Sequence, residues 1–263
     1  MTGIERIAAA FDAAAQQQRA ALMPYLMGGF PDLGTSQRIG EAYIDSGADL
    51  IELGVPFSDP LADGPVIHAA GTEALRNGAT VDGVLDVGEQ LAKRVPVLVM
   101  CYANPIYRRG LDAFADALAT RAIAGLIVPD LPFEEAPAVL EALDARGLAL
   151  VPLVAPTTPD ERLATIGARA RGFLYTVSLT GTTGERAALD ASLNDVIARA
   201  QAHTEVPVAV GFGIATPEQA AQAAAAGARG VIVGSRLVRE ATEADDPVAA
   251  VGAAVAGLRA ALR

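Results

Sequence analysis

The chain has 263 residues, of which 52% are hydrophobic, so it holds ample material for a large core and lacks the composition of a disordered chain. A formal net charge of −11 with no basic run argues against a nucleic-acid surface, and no apolar run approaches the roughly 18 residues that a membrane span needs. A single cysteine, Cys101, excludes an internal disulfide, and Met1-Thr2-Gly3-Ile4-Glu5-Arg6 lacks the cationic start of a signal peptide, so a soluble cytoplasmic protein is expected.

Ile4, Ile7, Phe11 and Ala14 recur at helical spacing and predict an opening amphipathic helix. Ala21–Met27 reads as a first strand, stopped by Gly28-Gly29. A helix over 35–46 then leads through Ser46-Gly47 into a second strand, Leu50–Gly54, and two helical stretches follow at 66–77 and 81–93. Strands recur at 97–100, 126–128, 148–153, 173–177, 208–210 and 231–233. Helices over 112–120, 134–146, 159–168, 190–202 and 217–226 separate them, and 248–262 closes the chain. Short αβ turns carry glycine, as in Ala124-Gly125 and Ala226-Gly227-Ala228, while the βα turns are longer and polar. Eight such units predict an α/β fold, a single (β/α)8 TIM barrel over 1–263 with an extra N-terminal helix and its site at the strand C-termini. A doubly wound open sheet fits less well, because no early G-x-G-x-x-G is present.

Scarce residue types narrow the chemistry. Lys93 is the one lysine and lies at a helix end; the two histidines, His68 and His203, have no second ligand at metal spacing. His68 falls in a helical run and reads as surface or as satisfied core. A Schiff base, a zinc site and a serine–histidine–acid triad are therefore poorly supported, which leaves carboxylate acid–base chemistry. Glu52 sits near the end of the second strand, where burying a carboxylate is costly. Asp63, eleven positions on, returns on a loop punctuated by Gly54, Pro56 and Pro60. A structural hydrogen bond for Glu52 and a helix cap for Asp63 is the alternative reading. The strand ends also gather Tyr102 with Asn104, Asp130, Tyr175, Gly211-Phe212-Gly213 and Gly234-Ser235. Gly213 and Gly234 follow the last two strands, where barrels of this kind build phosphate sites, and Ser235 opens a short helix, 235–238, whose dipole suits a dianion. The loop Ser178-Leu179-Thr180-Gly181-Thr182-Thr183-Gly184-Glu185-Arg186 reads as a polar lid.

From Glu52 to Gly64, the run E-L-G-V-P-F-S-D-P-L-A-D-G resembles the signature of the tryptophan synthase alpha chain family residue for residue. The Pro24-Tyr25 strand, the Tyr102-Ala103-Asn104 and Pro129-Asp130-Leu131-Pro132 turns, the lid and both glycine pairs extend the likeness along essentially the whole chain. The resemblance implies cleavage of indole-3-glycerol phosphate to indole and glyceraldehyde 3-phosphate, with Glu52 and Asp63 catalytic. It implies Tyr25, Ile67, Tyr102, Tyr175 and Thr183 as substrate contacts, and Gly184, Gly213, Gly234 and Ser235 as phosphate contacts. It implies no metal and no cofactor in this chain, with a pyridoxal-phosphate-dependent beta chain receiving the indole in an α2β2 tetramer. Three proline-stiffened apolar tips, Val55-Pro56-Phe57, Pro105-Ile106-Tyr107 and Leu131-Pro132-Phe133, read as the docking rim for that partner. The sequence departs from the family pattern at Leu179, an arginine in some members, and at Phe30, an aspartate in many. A sugar-phosphate epimerase or an indole-glycerol-phosphate synthase on the same barrel would want metal-binding histidines or a catalytic lysine. A non-catalytic binding subunit would have no use for Glu52 and Asp63.

Overall fold

The computed structural model describes residues 1–177, 193–211 and 213–262. Helix α1 (Gly3–Gln16) starts at a capping box between Thr2 and Glu5. It is followed by β1 (Ala21–Met27), α2 (Leu33–Asp45), β2 (Ile51–Gly54), α3 (Pro65–Arg76), α4 (Val81–Ala92), β3 (Val97–Met100), α5 (Ala103–Arg109), α6 (Leu111–Thr120) and β4 (Gly125–Ile127). A 3₁₀ turn, Phe133–Glu135, then precedes α7 (Pro137–Asp144), β5 (Ala149–Leu150), β6 (Leu153–Val154), α8 (Asp160–Arg169), β7 (Leu174–Val177) and α9 (Leu193–Ala202). The chain finishes through β8 (Val208–Gly211), α10 (Pro217–Ala225), β9 (Gly230–Val233), α11 (Ser235–Glu243) and α12 (Pro247–Ala261).

The strands pair in parallel in the order β5-β4-β3-β2-β1-β9-β8-β7-β6. The two ends of that row are neighbours in the chain. Val151 N–H donates to the Leu126 carbonyl at 2.9 Å, and Tyr175 N–H donates to the Pro152 carbonyl at 3.1 Å. One extended segment thus bonds to β4 with its first half and to β7 with its second, and the ring closes as a TIM-barrel-like fold. The single strand expected over 148–153 is therefore two short pieces. Pro152 has no N–H to give the ladder, so regular pairing stops there and resumes on the other side.

Side chains alternate across each strand and sort into two layers. Met23, Leu50, Leu98, Ala149, Phe173 and Ile232 fill the barrel, and α1 closes its floor with Ile7, Phe11 and Ala14. The seat is close: a Cβ at Gly3 would fall 2.2 Å from the Ala124 carbonyl oxygen, and one at Gly230 would fall 2.9 Å from the Phe11 ring. Arg6 on α1 donates to the carbonyls of Ala92, the last residue of α4, and of Val95 and Ala122, just past α4 and α6. The outer faces of the strands, with residues such as Leu22, Leu53, Val99 and Val231, pack under the helices.

Three expectations about helices change. α5 was not foreseen; 134–146 is interrupted so that α7 begins only at Pro137; and the short helix at 235–238 runs on to Glu243. Of the helix expected over 190–202, residues 190–192 lie outside the described residues. No helix among the described residues is long and apolar enough to cross a membrane.

Candidate functional site

Glu52 lies two residues before the end of β2, in register with Tyr25 of β1 and Leu98 of β3. Partners in parallel register share a face, which here is the barrel interior. Glu52 is only 1% exposed. That burial pushes its carboxyl up to about 8; a hydrogen bond donated by the Tyr175 hydroxyl to Oε2 at 3.5 Å opposes the rise, and the charge of Asp63 adds to it. Near neutral pH the group is mostly protonated, yet it can give up its proton at little cost, as a general acid–base requires.

Asp63 closes the loop after β2, its N–H donating to the Pro60 carbonyl at 3.3 Å. Gly64, not Asp63, takes the N-cap position of α3. The Tyr102 hydroxyl donates to Asp63 Oδ1 at 2.9 Å while accepting the Ala62 N–H at 3.0 Å, so one phenol fixes both the carboxylate and the backbone that carries it. Burial raises the Asp63 pKa, and the Tyr102 hydrogen bond and the nearby His68 pull it back. Phe57 stacks on the Tyr102 ring with centroids 5.2 Å apart. In the sequence Phe57 looked like an outer tip; its only inward signal is an aromatic ring inside the signature run.

Two tyrosine–glycine pairs shape the mouth. Tyr25 leans over Gly54, where a Cβ would fall 2.0 Å from its hydroxyl, and Tyr175 leans over Gly211, where a Cβ would fall 2.6 Å from Cε2. Burial, with Asp63 and Glu52 nearby, pushes the Tyr25 phenol well up, and burial with Glu52 does the same for Tyr175, so both rings stay neutral. Ile67 on α3 is buried as well.

On the other side of β1, Gly213 follows β8 with φ +68°, a backbone that glycine adopts without strain. Gly234 is the N-cap of α11 and has no side chain to offer its first N–H groups; a Cβ there would lie 3.6 Å from Cβ of Tyr25. Ser235 is the first residue of this nine-residue helix, so the positive end of its dipole opens beside Tyr25. Thr183 and Gly184 lie outside the described residues, as do Leu179 and the rest of the 178–186 loop.

The remaining candidates take other places. Asp130 accepts the Ala103 N–H at 2.9 Å, capping α5 from the turn after β4. Phe30 is buried in the helix–strand core, and Asp32 caps α2 by accepting the Thr35 N–H at 2.8 Å. Burial and Asp130 push the Cys101 thiol up to about 12, which leaves it inert. His68 is exposed on α3, and Lys93 follows α4, donating to Gln90 on the helix surface. Among the described residues no cluster of three histidine, cysteine or acidic side chains could hold a metal.

A buried carboxylate of raised pKa, a second carboxylate held by a tyrosine and an open helix N-terminus thus share one end of the barrel. The family model described as the tryptophan synthase alpha chain matches residues 11–259. The chain belongs to the tryptophan synthase alpha chain family. Members of the family are the lyase subunit that cleaves indole-3-glycerol phosphate and passes indole to a beta subunit, which carries the pyridoxal phosphate. The alpha chain of Prochlorococcus marinus (strain MIT 9313) is 48% identical over 235 residues, covering 89% of this chain and 86% of its own. That of Thermosynechococcus vestitus is 44% identical over 261 residues, 98% of both chains. A structure of Mycobacterium tuberculosis tryptophan synthase superposes with a TM-score of 0.92 at 40% identity, covering 98% of each chain. The alpha chain from Legionella pneumophila subsp. pneumophila gives a TM-score of 0.89 at 38% identity, covering 98% of this chain and 97% of that one.

Proposed function

We propose that residues 1–263 act as one cytoplasmic barrel domain in which Glu52 and Asp63 split indole-3-glycerol phosphate. The observation that carries this reading is the buried Glu52, with its pKa near 8, next to a second carboxylate. Protonated Glu52 gives its proton to indole C3, and positive charge develops on the ring nitrogen. Asp63, as a carboxylate, accepts the ring N–H and stabilises that charge. Glu52, now ionised, takes the proton of the glycerol hydroxyl; the bond from C3 to the glycerol carbon breaks, its electrons return to the ring, and the carbonyl of glyceraldehyde 3-phosphate forms. The enzyme ends in its starting protonation state, so no metal or lysine is needed in the cycle. Tyr25, Ile67, Tyr102 and Tyr175 wall the indole, and Thr183 is assigned to the substrate by the family resemblance alone. The phosphate binds at Gly213, Gly234 and Ser235, with Gly184 completing the set; the glycine backbone and the α11 dipole support this placement. Indole release from indole-3-glycerol phosphate by the purified chain tests the proposal, and no release above background, alone or with a beta chain, would end it.

Tyr102→Phe is expected to lower kcat about tenfold, because Asp63 and Ala62 both lose their bond to the phenol. The bond lowers the Asp63 pKa, so its loss should move the acid limb of the pH–rate profile upward. A profile that stays in place would remove Tyr102 from the positioning of Asp63.

The beta partner is proposed to complete an α2β2 tetramer at the mouth of the barrel. The rim is narrower than the sequence suggested: Val55, Pro56 and Ile106 are buried, and they belong to the packing of the barrel. Of the expected tips Tyr107 is 49% exposed, and Leu61, outside them, adds apolar surface at 75% exposed. Leu61→Glu and Tyr107→Glu should each preserve basal lyase activity while weakening stimulation by an added beta chain roughly tenfold. Unchanged titration curves for both would move the docking surface elsewhere.

A further inference from the structure

A cavity of about 190 Å³ lies beside the barrel mouth, behind the turn after β4 and between α7 and α8, where the ring is split at Pro152. Leu131, Leu140, Leu150, Leu153 and Ile166 give it apolar walls. Its ionised lining groups are two guanidiniums, Arg162 and Arg169. Arg169 sits over the ring of Phe133, itself part of the wall, at 6.0 Å from the centroid. Arg162 holds Glu134 at 2.7 Å in an exposed pair, the kind that rearranges at small cost.

We propose that this cavity binds a small monocarboxylate with a flat or branched apolar body. Liquid water occupies about 30 Å³ per molecule, so the cavity displaces roughly six waters, which suits a single aromatic ring. Arg162 is paired with Glu134, so the guanidinium that meets an incoming carboxylate first is Arg169, seated on the Phe133 ring. A planar guanidinium meets a carboxylate through two parallel N–H donors, a match that a neutral amide cannot make. The net charge of −11 disfavours anions in general, so two guanidiniums beside a hollow with leucine and isoleucine walls make a local exception. Pro152 is what opens the space, since the strand that would otherwise run flat under α7 and α8 breaks there.

Benzoate, titrated into the full chain while the leucine and isoleucine methyl resonances are followed by NMR, tests the site. Saturable shifts are expected at Leu131, Leu140, Leu153 and Ile166, with benzamide binding at least about tenfold more weakly, the loss of one charge-assisted contact. Arg169→Gln should weaken benzoate at least about fivefold with an unchanged melting temperature. Shifts that never saturate, equal affinity for benzoate and benzamide, or unchanged affinity in both Arg169→Gln and Arg162→Gln would overturn the proposal. So would saturable shifts confined to Ile67. These readouts are independent of lyase turnover.

Discussion

Glu52→Gln should abolish indole formation and at the same time stabilise the protein at alkaline pH. Removing a positioned acid–base group costs roughly 10²–10⁴ in rate. The stability gain follows from linkage. The carboxyl titrates near 4.5 when unfolded and at about 8 in the native barrel, so between those values the native state holds the proton that the unfolded chain has released. Native stability therefore falls by about 1.4 kcal/mol for each pH step of one between about 4.5 and about 8, and stays low above that. Glutamine has the shape of the protonated acid and does not titrate. The variant should match the wild type near pH 4 and exceed it by several kcal/mol at pH 9. Denaturant melts at the two pH values, with indole release measured alongside, check both halves. Retained turnover would take Glu52 out of the mechanism, and parallel stability curves would mean that it is not buried as an acid.

Gly54→Ala should be nearly as damaging, although it adds one methyl group. The new Cβ would fall 2.0 Å from the Tyr25 hydroxyl and 2.6 Å from Cζ. The ring has little room to retreat, since it is 6% exposed and Gly234 lies close beside its Cβ. It must shift within the space it shares with Glu52. Overpacking of this kind costs about 1–3 kcal/mol, and misplacing a wall by about 1 Å can cost around 10²-fold in turnover. Thermal melts and kcat/KM together measure it. Normal kinetics would mean that Tyr25 does not bound the substrate.

The sequence exposed the parts of this molecule that depend on local pattern. Parallel strands buried on both faces read as apolar runs, so each stave of the barrel was visible, and Glu52 stood out as a charge within one of them. What it hid depends on distant partners. α5 went unseen because Asn104-Pro105 resembles a turn, and because its cap, Asp130, comes from a different loop. Proline is tolerated in the first turn of a helix, where its missing N–H would go unused. Missing α5 also misplaced Ile106: on a loop it would be a tip, but on a helix it is the residue that faces inward. The hydrogen bond from Tyr102 to Asp63 spans 39 positions and has no local signature. The break at Pro152 was missed, although proline cannot serve an interior ladder, because the apolar run on either side concealed it.

The floor of the barrel joins segments from opposite ends of the sequence. Phe11 of α1 rests against Gly230 of β9 and the ring of Phe173, and Ile7 rests on Gly172. That seat does not exist until the late strands have joined the early ones. Closing so long a loop costs chain entropy before any contact repays it, so docking of the floor helix belongs to the end of folding. A barrel still missing β7 to β9 would leave Phe11 without Gly230 and the Phe173 ring to rest on, and an incomplete molecule would carry a partly uncovered apolar helix of the kind that drives aggregation. Floor and mouth thus stand under different demands: the mouth must stay open to work, and the floor must shut before the chain is safe in solution.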